Sequence, residues 1–252
     1  MATEPMIPPP PPDPTPGLSE PARIINTFIA PSKTFTDLRR NAMWWGPLVL
    51  MILVSLAFTY SVDSKIGFRK VVDDQIALSP KAQARMEQVP ADQREQQLGI
   101  QVTITKVISY AFPAILLIIT LISSAVMFAF FKFAANADLS FKRMFAVSMY
   151  ASVPGGLKYL FAAVVIFMGG SQEPFNMNNP IGTNLGFFLD PTGNKAIYTM
   201  ASSIDIFTIW TLMLTVIGVC CVSNVKRNTA YIGVFGWTAL IVLLFSGLAL
   251  LG

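Results

Sequence analysis

Five long apolar runs alternate with polar segments along the chain, at residues 43–62, 107–131, 144–169, 204–223 and 230–251. A helix of about 20 residues at 1.5 Å per residue spans about 30 Å, the hydrocarbon thickness of a bilayer. Runs of this length exceed the buried helices of a small soluble domain. None alternates in the two-residue period of a strand, which argues against a membrane barrel. The pattern therefore predicts an all-α integral membrane protein, a bundle of five transmembrane helices. Trp44 and Trp45 open the first run, where an aromatic belt is expected. Pro113 falls near the start of the second, and Pro154-Gly155-Gly156 with Lys158 interrupt the third.

The segments between the runs differ in character. Residues 1–21 hold nine of the 18 prolines and too little apolar surface to pack, so a disordered proline-rich tail is predicted there. It serves as a spacer, with a ligand for a proline-binding module as the sharper alternative. It lacks the apolar core of a secretory signal, so the N-terminus is expected to be retained. The membrane domain is then 22–251. In its first stretch Ile24, Ile25, Phe28 and Ile29 fall at helical spacing opposite Arg23, Asn26 and Thr27. Pro31 ends that helix, and Phe35 and Leu38 line a second one carrying Lys33, Arg39 and Arg40. Both are too short to span, so they read as interfacial helices with basic residues toward headgroups. Residues 63–106 form a charged extramembrane loop. Ser79-Pro80 and Pro90 each mark a helix start within it. Leu98, Val102 and Thr105 extend the second span into a longer, protruding helix.

Composition narrows the chemistry. Hydrophobic residues make up 53% of the chain and charged residues only 13%, against about 25% in ordinary soluble domains. The absence of histidine removes His-based acid–base catalysis and most zinc sites. Cys220 and Cys221 are adjacent, which gives neither a disulfide framework nor a CxxC site. They read as small packing residues, with lipidation as the alternative. No cofactor, metal or nucleic acid is implied, and no enzyme activity is expected. Lys and Arg of the shorter loops concentrate around 22–42, 132–143 and 224–229, whereas 170–203 carries Lys195 alone. This asymmetry places the N-terminus in the cytoplasm and the C-terminus outside.

Three groups of residues stand out. Lys33, Arg39 and Arg40 are positioned for anionic headgroups at the cytoplasmic face, or for a protein partner. Lys158 lies too far from either end of its run to snorkel, so it must face the bundle interior. Pro154 frees the carbonyl of Tyr150, one turn back from Lys158, and the ammonium is expected to satisfy it. A substrate or ion site at Lys158 is the alternative. Asp205 opens the fourth run, where the helix dipole stabilises it and Ser202 or Ser203 caps the same end. It remains an alternative ion or substrate ligand. Pro154, Lys158 and Asp205 are thus the candidate functional or kink site.

Several stretches resemble one known family. Pro31-Ser32-Lys33-Thr34-Phe35 with Leu38 is similar to a P-x-x-x-F-x-x-L stretch ahead of a first span. Trp45-Gly46-Pro47-Leu48 resembles the Asp-Leu-Tyr-Gly-Pro motif that opens it, although Met43-Trp44 replace the acidic residue. Tyr150-Ala151-Ser152-Val153-Pro154 resembles a tyrosine-to-proline stretch in the third span. Asp205-Ile206-Phe207-Thr208-Ile209-Trp210, then Leu214 and Ile217-Gly218, looks like the fourth. Together these resemble the Yip family (Ypt-interacting proteins), in its prokaryotic branch. The resemblance implies five membrane helices with a cytosolic N-terminus, in an inner membrane. Eukaryotic members bind Rab-type GTPases and act in vesicle traffic or membrane shaping. The expectation is a non-enzymatic protein that organises a membrane or recruits partners through 22–42, alone or as a homo-oligomer. The alternative is a small transporter or channel component with a polar site near Lys158.

Overall fold

The computed structural model describes residues 16–251, without the side chain of Leu251. The proline-rich expectation for residues 1–15 lies outside the described residues. Residues 16–19 carry no regular structure, but Glu20 and Pro21, placed in the tail by composition, already belong to a helix. The Ser19 hydroxyl accepts from Ala22 N–H and Pro21 sits in the first turn, so the local sequence starts α1 (Glu20–Ile29) there.

Pro31 then opens α2 (Pro31–Asp37). The first long helix is α3 (Trp45–Lys65), followed by α4 (Phe68–Ala77) and α5 (Pro80–Glu87). The Ser79 hydroxyl caps α5 ahead of Pro80, as the sequence predicts. α6 (Ala91–Ala129) runs 39 residues and continues through a π turn to Ala134, so the second span protrudes as expected. The third span is broken at Ser152 into α7 (Phe141–Ala151) and α8 (Val153–Phe167), because Pro154 has no N–H for the carbonyl one turn back. After a long loop come α9 (Lys195–Ser203), α10 (Ile206–Val222) and α11 (Arg227–Leu251). Among the described residues there is no strand, only one isolated bridge between Asn184 and Asp205.

Four helices are long and apolar enough to cross a membrane: Trp45–Lys65, Ala91–Ala134, Phe141–Phe167 and Arg227–Leu250. The predicted span at 204–223 is trimmed to the 17 residues of α10, because Asp205 caps its start and extended Ser223 ends it. At 1.5 Å per residue it is about 25 Å long, near the lower limit for crossing. Side-chain contacts sort the connections onto two ends. At one, Lys70 bonds Glu173 at 2.6 Å and Asp74 accepts from Phe175 N–H at 2.8 Å, tying 63–106 to 170–203. At the other, Asn224 accepts from Asp138 N–H at 2.8 Å and Arg143 reaches the Arg39 carbonyl. The chain thus alternates between ends with each long helix.

Two apolar clusters hold the bundle. Phe35 and Leu38 pack with Phe131, Tyr150 and Val219 toward the end bearing residues 22–42. Phe58, Val62, Phe68, Ala162 and Phe175 pack toward the other. Gly218 lets α2 and α7 meet α10 closely, since a Cβ there would collide with Val147 and lie 3.1 Å from the Phe35 ring. The proline inside α6 is also accounted for. Pro113 leaves the Ser109 carbonyl without its helical donor, and the Thr59 hydroxyl of α3 supplies one at 3.2 Å.

Candidate functional site

The N-terminal helices differ from an interfacial pair in one respect. In α1 the polar side is buried: Arg23 and Thr27 face the interior, Ile24 and Phe28 pack on the bundle, and Ile25 and Ile29 are 58% and 75% exposed. Arg23 does not face headgroups. Its Nε and Nη2 bond Asp37 Oδ2 at 2.8 and 2.7 Å, and Nη1 bonds Glu20 Oε1 at 3.0 Å. The Tyr150 hydroxyl of α7 donates to Glu20 Oε2 at 2.5 Å. Thr27 and Thr34 both donate to the Arg23 carbonyl, at 2.9 and 2.7 Å. Burial alone lowers the Arg23 pKa, but hydrogen bonds with Asp37 and Tyr150 outweigh it and hold the guanidinium above its ordinary value. Every charged group in this cluster has a partner, so it clamps α1 to α2 and both to the bundle.

The start-of-span motif meets the same cluster. Gly46 is buried directly against Glu20, whose carboxylate occupies the place of a Cβ. Pro47 is buried beside it, and Trp45 is half exposed at the helix start. Trp44 packs edge-on to Phe145 with centroids 5.0 Å apart.

Lys33, Arg39 and Arg40 are exposed at this end. Lys132, Lys142, Lys226 and Arg227 are exposed on the neighbouring connections, and Arg143 is partly so. Asp37 is occupied by Arg23, which leaves Asp138 as the acid among these connections. The opposite end is also rich in Lys and Arg but neutralises itself. Arg69 pairs with Asp73 and Glu95, and Lys70 with Asp74 and Glu173. Glu173 first, then Asp74, hold Lys70 above its ordinary pKa. One end of the molecule is therefore a basic face and the other is close to neutral.

Lys158 and Asp205, grouped in one candidate site by the sequence, come together as a direct ion pair, a contact the sequence did not foresee. Lys158 Nζ bonds Asp205 Oδ2 at 2.9 Å, with side chains 13% and 3% exposed. The ammonium does not serve the Tyr150 carbonyl, because the Asp205 carboxylate gives a far stronger charge-assisted bond. Thr183 donates to the same Oδ2, and Oδ1 accepts from the N–H groups of Phe207 and Thr208 at 2.9 and 3.3 Å. Asp205 is thus the helix cap itself. Ser203 instead bonds the Thr199 carbonyl, and Ser202 belongs to the separate helix α9. Pro154 lies one turn before Lys158, buried, and touches none of these groups through a hydrogen bond. The pair joins α8 to α10 and to the loop.

Sequence reasoning missed the Glu20–Arg23–Asp37–Tyr150 cluster and Thr183. The signal for the cluster was the i, i+3 spacing of Glu20 and Arg23 in the first helix. Nothing local marked Thr183.

The Yip1 domain model matches residues 25–247. The chain belongs to the Yip1 family. No curated protein matches it, and no solved structure does. The match covers the four long helices (α11 up to residue 247), the shorter α10, and both buried ion clusters except Glu20 and Arg23. This Yip1 domain is a multi-pass helical membrane protein.

Proposed function

We propose that this Yip1-family protein is a non-enzymatic organiser of a prokaryotic inner membrane. Its basic face lies in the cytoplasm and its C-terminus outside. There it gathers anionic headgroups, or a partner bearing such groups, at Lys33, Arg39 and Arg40. One observation carries this reading: the buried Arg23 cluster fixes α1 and α2, so that Lys33, Arg39 and Arg40 lie exposed beside the cations of two other connections. The orientation agrees with the enrichment of Lys and Arg in cytoplasmic loops. The lack of histidine supports the non-enzymatic reading.

The test uses the full chain in neutral-lipid nanodiscs and measures capture of anionic vesicles. Each Lys or Arg near a charged surface contributes about 1 kcal/mol. Replacing Lys33, Arg39 and Arg40 by Gln should weaken capture by about a hundredfold, and added salt should do the same. Equal capture by the triple variant, or equal capture of neutral vesicles, would overturn the proposal. A saturable solute flux lost in Lys158→Met would favour a transporter instead.

A further inference from the structure

A cavity of about 310 Å³ lies between α3, α6 and α8, under the 170–203 loop. Its walls are apolar: Met51, Val54 and Phe58 from α3, with Ile108, Phe112 and Leu116 from α6. Ile108 is 51% exposed, so the cavity opens sideways on the surface of two membrane-crossing helices. No charged side chain lines it. Its polar lining includes Ser55, Gln75, Tyr159 and Asn178. Gln75 and Asn178 come from the extramembrane segments, so they mark the end nearest the membrane surface. Among the described residues none of these four side chains has a hydrogen-bond partner.

Ser55, Gln75 and Tyr159 are only partly exposed and need partners where a ligand excludes water, while the exposed Asn178 lies at the rim. We infer that the cavity binds an uncharged acylglycerol, its hydroxyl and ester oxygens toward Gln75 and Asn178 and its chain between α3 and α6. A cavity of about 150 Å³ holds the six carbons of benzene, so this one holds roughly a dozen, most of one acyl chain. Met51 and Met177 adapt their shape readily to a flexible chain. A phosphate-bearing lipid does not suit the site, because its charge would have no cation to meet.

The experiment uses the full chain in phosphatidylcholine nanodiscs with a monoacylglycerol carrying a mid-chain diazirine. Saturable labelling is expected, competed by unlabelled monoacylglycerol, with adducts in residues 51–59 or 105–116. Ser55→Phe fills the cavity and should cut labelling at least tenfold. Gln75→Leu with Asn178→Leu removes two hydrogen bonds and should weaken binding about tenfold. Circular dichroism and gel filtration check that each variant folds. If Ser55→Phe does not fold, the Gln75/Asn178 pair alone decides the outcome. Labelling that persists unchanged in the folded variants, or that spreads along residues 240–250 of α11, overturns the proposal. So does competition by phosphatidylglycerol as strong as that by the neutral lipid.

Discussion

Neutralising one member of the Lys158–Asp205 pair should be far more harmful than neutralising both. The pair is almost wholly buried. Removing one partner from a buried ion pair costs about 3–5 kcal/mol, because the other charge stays uncompensated, whereas replacing both is often close to neutral. Asp205→Asn keeps an oxygen at the Oδ1 position for the Phe207 and Thr208 N–H groups, so the helix cap survives, but it puts an NH2 donor where Oδ2 accepted from Lys158 and Thr183. It strands Lys158, which has no other hydrogen bond among the described residues, and falls at the upper end of that range. Lys158→Met leaves a carboxylate still holding three donors and falls at the lower end, about 3 kcal/mol. The double variant should lose only about 1–2 kcal/mol. The coupling energy is then at least about 3 kcal/mol, more than a hundredfold in the folding equilibrium. Reversible unfolding in mixed micelles of SDS and a neutral detergent, followed by circular dichroism, measures each corner of the cycle. A coupling below about 0.5 kcal/mol, the level of independent sites, would refute the reasoning. That outcome is also what a lysine bonded to the Tyr150 carbonyl would give.

Three further outcomes follow from the same structure. Arg23→Gln leaves Glu20 and Asp37 facing each other without a cation, so it should destabilise the fold by about 3–5 kcal/mol and speed tryptic cleavage at Arg39 and Arg40. Unchanged cleavage would mean the cluster does not clamp α1 and α2. Thr59→Val should cost about 1–3 kcal/mol by stranding the Ser109 carbonyl, and Thr59→Ser should restore most of it, both read from thermal unfolding in detergent. A reporter active only outside the cytoplasm should work when inserted at Thr183 and stay silent at Ala137, and activity at both would contradict the two-ended arrangement.

The architecture was legible from hydrophobic run length, because a bilayer demands long apolar helices whatever their partners. Helix starts at Ser79-Pro80 and the extension of α6 were legible for local reasons of capping and spacing. The partner of Lys158 was not. Local reasoning offered the Tyr150 carbonyl at one turn's distance, whereas Asp205 lies 47 residues away, and only the packing of α8 against α10 brings it within 2.9 Å. The underlying rule was sound at a different proline. Pro113 does free a carbonyl, at Ser109, and a side chain from another helix, Thr59, does satisfy it.

The burial of Arg23 and Thr27 in α1 has a more general cause. The sequence reading set α1 at the membrane surface with its basic residues toward headgroups, which turns Arg23 outward. In a bundle set in lipid, the outer surface is itself apolar, and burying a leucine or isoleucine against protein gains little over leaving it in acyl chains. Polar groups then decide the rotation, because hydrocarbon offers them no partner. Arg23 and Thr27 must find theirs in the interior, and they do, in Glu20, Asp37 and the helix's own carbonyls. Ile25 and Ile29 are left facing outward, while Ile24 and Phe28 pack on the bundle. A helix held this way lies against the bundle through Arg23, Thr27, Ile24 and Phe28, so Lys33, Arg39 and Arg40 are displayed from a fixed platform and not from a helix free to lift off the membrane.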